Sequence, residues 1–282
     1  MTLPNFLIIG AGRSGTSSLY YYLGQHPQIY MSPVKEPRYF GVEPRVGTAP
    51  PIQSRKRIQS RKEYERLFAG VSNETAVGEA SPQYLNSPTA AARIAADLPG
   101  VRLIALLRNP ADRAYSSYIG QVRAGVEFRS VEKAMQPDTY YFQSSLYAHP
   151  LERYFSRFAR QQIKVVLFDD LVSDARAVVK EILGFLDVAT DVELDLSIRH
   201  NVSTVPRFIA LNALIWKTAH VVTKLVPLAA GRGLAMRLQR PLLRPLEPLS
   251  DPVRRRMLEA FEADIRDTGR LIGRDLSHWL QC

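Results

Sequence analysis

Residues 6–23, FLIIGAGRSGTSSLYYYL, decide the fold. An apolar, strand-like run (6–9) meets a glycine-rich turn (10–15), and the small hydroxyl residues Thr16, Ser17 and Ser18 then open a helical apolar pattern. Strand, loop and helix N-terminus in that order aim backbone N–H groups and the positive end of a helix dipole at an anion. The spacing approaches the nucleotide-binding P-loop, G-x-x-x-x-G-K-[ST], starting at Gly10. The lysine position of that motif holds Thr16, and the nearest cation is Arg13, inside the loop. The loop suits phosphate but lacks the lysine of an ATPase.

Working outward, apolar β-rich runs alternate with helical patterns through about the first two thirds of the chain. Strands are expected at 6–9, 29–31, 76–78, 102–107 and 163–168, and helices at 16–25, 88–97, 112–124, 146–160 and 175–186. Such alternation predicts an α/β fold: a P-loop-like parallel sheet of about five strands flanked by helices, with ligands at the C-terminal strand ends. Two segments depart from this plan. Residues 43–62, EPRVGTAPPIQSRKRIQSRK, read as a mobile basic loop. Residues 205–250 read as helical, with Lys217, His220 and Lys224 on one face and Leu211, Ile215, Val222 and Leu225 opposite, a pattern for packing, for an acceptor cleft or for a membrane surface. A last helix is expected to start with Asp251 as N-cap and Pro252 at the first helical position, with a Leu258, Phe261, Ile265 stripe. The whole, 1–282, reads as a single domain with a helical C-terminal portion.

Bulk composition narrows the class. The 282 residues are 46% apolar, enough for a full core, and carry 37 Lys and Arg against 27 Asp and Glu, a formal charge of +10. That balance suits an anionic ligand, an anionic glycan, nucleic acid or an acidic membrane. The single cysteine, Cys282, excludes an intrachain disulfide and a cysteine-based metal site, and points to a reducing compartment. MTLPNFLIIGAG has no basic n-region, so no signal peptide is expected, and no run of eighteen uninterrupted apolar residues occurs. The location expected is cytoplasmic, with peripheral contact at the inner membrane surface left open.

Three constellations carry chemistry. The first is the loop itself, where Arg13, Ser14, Gly15, Thr16, Ser17 and Ser18 offer N–H groups, hydroxyls and one cation to a 5′-phosphate. The second is RLIALLRNPADRAYSSY (102–118): Arg108 stands at a strand end, Asn109-Pro110 breaks the chain, and Ser116 lies one to two turns into the next helix. An Arg and a hydroxyl apart from the first loop suit a second phosphate on the same ligand, whereas an Arg pairing with an acid or a helix end is the plainer alternative. The third is AVGEASPQYL (76–85), where Glu79 ends a short strand; it is either a structural partner or a carboxylate placed to take a proton from an acceptor hydroxyl.

Together these blocks resemble the sulfotransferases that use 3′-phosphoadenosine 5′-phosphosulfate (PAPS), in the branch shared by heparan-sulfate-type carbohydrate enzymes and many bacterial ones. FLIIGAGRSGTSSL resembles the family's 5′-phosphosulfate loop, RLIALLRNPADRAYSSY its 3′-phosphate motif, and GEASPQYL the segment with its catalytic glutamate. SSLYAHPLERYFSRF, QIKVVLFDDL and LIGRDLSHWL resemble further blocks in the same order, so the likeness covers nearly the whole chain. The resemblance implies sulfuryl transfer from PAPS to a hydroxyl, or less readily an amine, of a glycan, glycolipid or small alcohol, with PAP as product and no metal or nucleic acid. It implies Glu79 as general base, Arg13 at the bridging oxygen, and Arg108 with Ser116 at the 3′-phosphate. VKEPRYF (34–40) resembles a segment lining the acceptor cleft, with Lys35 as a second cation. RHNVSTVPR (199–207) resembles a loop closing over the nucleotide, with Arg199, Asn201, Ser203 and Arg207 as candidates. Two positions depart from the pattern: Arg13 and Ala80 stand where the glycosaminoglycan enzymes commonly have lysine. The rivals are a P-loop kinase or NTPase, for which Thr16 is wrong and Asp169-Asp170 is a faint metal site, and a non-enzymatic binder of acidic polymers.

Overall fold

The structure is a computed structural model that describes residues 2–41, 57–197, 204–206, 243–245 and 247–281. Its centre is a five-stranded parallel sheet of β1 (Phe6–Gly10), β2 (Ile29–Met31), β3 (Ala76–Ala80), β4 (Arg102–Leu107) and β5 (Ile163–Leu167), in the order β2-β3-β1-β4-β5. The glycine-rich loop therefore leaves the central strand, with β3 on one side and β4 on the other. This is the topological switch point, where crossovers to left and right open a crevice at the strand ends.

Successive residues of each strand serve opposite faces. Leu7, Ile9, Leu103, Ala105 and Leu107 enter one buried cluster, and Phe6, Ile8, Ile104 and Leu106 enter the other. The first cluster is covered by α3 (Ala90–Asp97), α4 (Pro110–Arg123), α7 (Ala148–Phe155) and the long α10 (Asp251–Ile272), through side chains such as Ile94, Tyr118, Tyr154 and Phe261. The second is covered by α1 (Thr16–Leu23), α8 (Phe168–Ser173) and α9 (Ala175–Phe185), through Leu19, Leu23, Leu171 and Ile182. Short helices α2 (Arg61–Arg66), α5 (Val131–Ala134) and α6 (Tyr140–Gln143) complete the described helices. Among the described residues, no helix is long and apolar enough to cross a membrane.

The sheet and its main helices stand where the sequence pattern puts them. Four local corrections follow from capping and pairing. Ser250 takes the N-cap position of α10 with an extended backbone and no side-chain cap bond, so Asp251 and Pro252 are the first two helical residues. α4 opens at Pro110, because Asn109 accepts hydrogen bonds from the N–H groups of Ala111 (3.0 Å) and Asp112 (3.4 Å), and proline needs no N–H at a helix start. Ser60 caps α2 by accepting from Glu63 N at 3.2 Å, so the basic segment 43–62 ends in helix; residues 42–56 lie outside the described residues. Within the segment 205–250 the described residues include strand, β6 (Thr204–Pro206) antiparallel to β7 (Leu243–Pro245), where mutual hydrogen bonding replaces the expected helix. The amphipathic pattern at 208–230 lies outside the described residues, as do Arg199, Asn201, Ser203 and Arg207.

Candidate active site

The glycine-rich loop is shaped by what packs on it. A Cβ on Gly10 would lie 2.6 Å from Leu85 Cβ and 3.0 Å from the Pro82 carbonyl, so only glycine lets the turn after β3 sit on the strand end. That turn is fastened to β1 by Ser81 N to Ile8 O (3.0 Å) and Leu85 N to Ile9 O (2.8 Å). Gly15 has φ 89° and starts α1, which has neither a side-chain cap nor an acidic residue in its first turn. The N–H groups and dipole of that turn stand at the end of β1, with Thr16 buried and Ser17 half-buried beside them, an arrangement that attracts an anion. Ser14, by contrast, is fully buried beneath the loop. From behind, Arg113 donates to Gly12 O (2.9 Å), Ser144 O and Ser145 Oγ (3.2 Å), bracing the loop from α4.

Cations gather where β1 and β4 end. Arg13, itself at φ 72°, donates from Nε to Ser116 Oγ at 3.1 Å, and its guanidinium lies so close to α4 that a Cβ on Gly120 would come within 3.2 Å of it. Arg108 donates to Arg13 O at 3.5 Å and stacks over Phe168, 4.8 Å from the ring centre. Desolvation of the Arg13 guanidinium, followed by repulsion from Arg108 and Arg123, lowers its pKa. Like charges held together in this way favour an anion among them. The structure thus joins Arg13, Arg108 and Ser116, and turns Arg13 towards the β4 side of the crevice.

Lys35 takes the other side. Its Nζ donates to Ser17 Oγ at 2.5 Å, which brings the VKEPRYF segment against the first turn of α1. Glu36, 3.9 Å from that ammonium, is a carboxylate that the sequence reading passed over. Arg38 Nη2 (2.7 Å) and Gln83 Nε2 (2.9 Å) both donate to its Oε2, and its own N–H reaches Ala80 O (3.0 Å). Burial pushes the Glu36 carboxyl up, but the hydrogen bonds from Arg38 and Gln83 and the charges of Arg38 and Lys35 outweigh it and hold the pKa low. Glu36 and Arg38 both have left-handed backbones, at φ 60° and 57°, an uncommon conformation that is costly outside glycine. The signal was present in the sequence, since this carboxylate adjoins the lysine already singled out.

Glu79 lies near this carboxylate but on the buried side of the strand end. β3 runs on to Ala80, and alternation turns Glu79 to the same face as Val77, into the larger core. It is 0% exposed, and its Oε1 accepts from Tyr84 (2.7 Å) and Tyr64 (3.3 Å). Burial raises its pKa to about 7, with the Tyr84, Ser81 and Tyr64 hydrogen bonds opposing the rise. The Asp169-Asp170 pair is committed to other partners: Asp169 accepts from Trp279 Nε1 (2.7 Å) and Asp170 pairs with Arg274 (3.1 Å).

The Sulfotransferase family model matches residues 4–192. The membrane-associated sulfotransferase kil1 of Dictyostelium discoideum is 36% identical over 118 residues, 42% of this chain and 23% of that protein. The bifunctional heparan sulfate N-deacetylase/N-sulfotransferase 1 of Mus musculus is 30% identical over 211 residues, 67% of this chain and 23% of that protein. The crystal structure of a sulfotransferase from Alicyclobacillus acidocaldarius superposes with a TM-score of 0.77 at 31% identity, with 100% of both chains covered. The chain spans less than a quarter of the length of these curated relatives.

Proposed function

We propose that this chain, which belongs to the sulfotransferase family, moves a sulfuryl group from PAPS to a hydroxyl or amine of a glycan-type acceptor, with Glu36 as general base. All 282 residues are read as one such domain. The observation that carries the proposal is the contact of Lys35 with Ser17, which sets a low-pKa carboxylate beside the anion-binding turn. The donor fits the residues present. The first turn of α1, with Thr16 and Ser17, suits the 5′-phosphosulfate, and Arg13, Arg108 and Ser116 suit the 3′-phosphate. A glycan acceptor is supported by the heparan sulfate relative and by the formal charge of +10, which favours an anionic polymer.

In this reading Glu36 takes the proton of the acceptor O–H or N–H as a bond forms from that atom to sulfur. The bond from sulfur to the bridging phosphate oxygen breaks, and Lys35 with the first-turn N–H groups offsets the charge left on that oxygen. Positioning and charge stabilisation supply the rate, as in phosphoryl transfer. A second reading keeps Glu79 as the base. Its pKa of about 7 favours it, but the acceptor would have to enter a cage closed by Tyr64 and Tyr84.

The test is transfer of label from 35S-PAPS to N-deacetylated heparosan, a glycosphingolipid or p-nitrophenol, paired with calorimetry of PAP binding. Labelled product with the wild type, and PAP affinity at least tenfold weaker for Arg108→Ala, are expected. No transfer to any acceptor together with no PAP binding overturns the proposal.

A further inference from the structure

The turn of residues 81–85 does two things at once. On one side it is bonded to the end of β1 and fills the space above Gly10. On the other it sends Gln83 to Glu36, where the amide and Arg38 share one carboxylate oxygen. The Gln83 carbonyl oxygen, in turn, is buried and has no hydrogen-bond partner among the described residues. A buried, unsatisfied carbonyl costs stability, and a thioether of the same length would avoid that cost. Gln83 is therefore poorly explained as packing and well explained by what its N–H does. The left-handed backbone at Glu36 and Arg38 has the same character, a local cost retained beside the site.

We propose that Gln83, with Arg38, is a positioning residue that fixes Glu36 against the donor loop, so that one turn sets the spacing between the general base and the bound donor. The inference rests on the reading of Glu36 as base. Gln83 touches neither donor nor acceptor; it acts through Glu36. Among the described residues, the charged groups facing Glu36 include Lys35 and Arg38 of its own segment and, from β3, the buried Glu79, whose carboxyl is raised further by the Glu36 charge. Loss of the Gln83 hydrogen bond removes a stabiliser of the ionised form, so the Glu36 pKa rises and the acid limb of the rate profile moves to higher pH.

The experiment is a carboxyl NMR titration of the full chain labelled with 13C-glutamate and saturated with PAP, with Glu36→Gln providing the assignment. In Gln83→Met the Glu36 titration is expected to move up by about one pH unit, the size of a hydrogen bond to a charged group. PAP affinity should stay within about twofold, and thermal stability should change little, because the lost hydrogen bond to Glu36 and the relieved carbonyl act in opposite directions. Arg38→Gln is the second variant and should move the same resonance in the same direction. In turnover assays the Gln83→Met deficit should shrink as pH rises, whereas a merely structural defect would persist at every pH. An unmoved Glu36 titration in both variants overturns the positioning role, even with Glu36→Gln inactive. Full turnover by Glu36→Gln instead overturns the base reading, and the positioning role goes with it.

Discussion

Glu36 and Glu79 stand at the same end of one sheet, joined by a hydrogen bond from Glu36 N to the residue after Glu79, yet their surroundings are opposite. Glu36 rides on a strained loop with its side chain 15% exposed, and two donors and a nearby ammonium hold its charge. Glu79 is sealed among tyrosines, and burial moves its pKa the other way. Facing direction, as much as position along the chain, sets what surrounds a carboxylate at this sheet end. A one-residue step turns a side chain from crevice to core.

The largest expected effect separates the two. Glu36→Gln should lower turnover by about 10²- to 10⁴-fold, the usual worth of a general base, and leave PAP affinity within about twofold. Initial rates and calorimetry measure both, and a Glu79→Gln enzyme losing as much while Glu36→Gln stays active would reverse the comparison. Next comes Glu79→Ala, which empties a buried site and strips two tyrosine hydroxyls of their acceptor. It should destabilise the fold by about 3 kcal/mol or more in urea unfolding.

The third expectation is a pH dependence whose sign is unusual for a carboxylate. The folded-state pKa of Glu79 is raised to about 7 from an ordinary value of 4.5, so between these values the folded chain holds a proton that the unfolded chain has released. The stability of the wild type relative to Glu79→Gln should therefore be greatest below about pH 4.5 and decline as pH rises to about 7. Parallel melts of the two proteins across that range test it, and a difference that grows with pH contradicts the buried, proton-holding state. The smallest effect belongs to Tyr84→Phe, at about 1 to 2 kcal/mol, because Tyr84 both donates to Glu79 and accepts from Phe40 N at 3.3 Å.

Most of the scaffold was legible because its signals are local. The strands at 29–31 and 102–107 match their predicted bounds, since apolar β-rich runs bounded by turn residues report pairing and burial directly. The loop from Gly10 to Ser17 and the Arg108–Ser116 block were legible for the same reason: each is a strand, a turn and a helix start in one short stretch. What escaped was set by contacts distant in sequence. That Arg13 swings to Ser116, 103 residues away, depends on the space left by Gly120, and that Glu36 meets Gln83, 47 residues on, depends on the turn above Gly10. Helices α2 and α6 escaped because each is under two turns long, too short for a 3.6-residue period to show.

Asn109 does more than start a helix. Its side-chain amide donates to the carbonyl of Trp279, 170 residues later, and that tryptophan, 1% exposed, is held in turn by Asp169. During synthesis the glycine-rich loop and β4 leave the ribosome long before residue 279 does, so Asn109 emerges well ahead of this partner. The start of α4 is thus completed by a long-range contact, one made only once the last described helical turn has been synthesised.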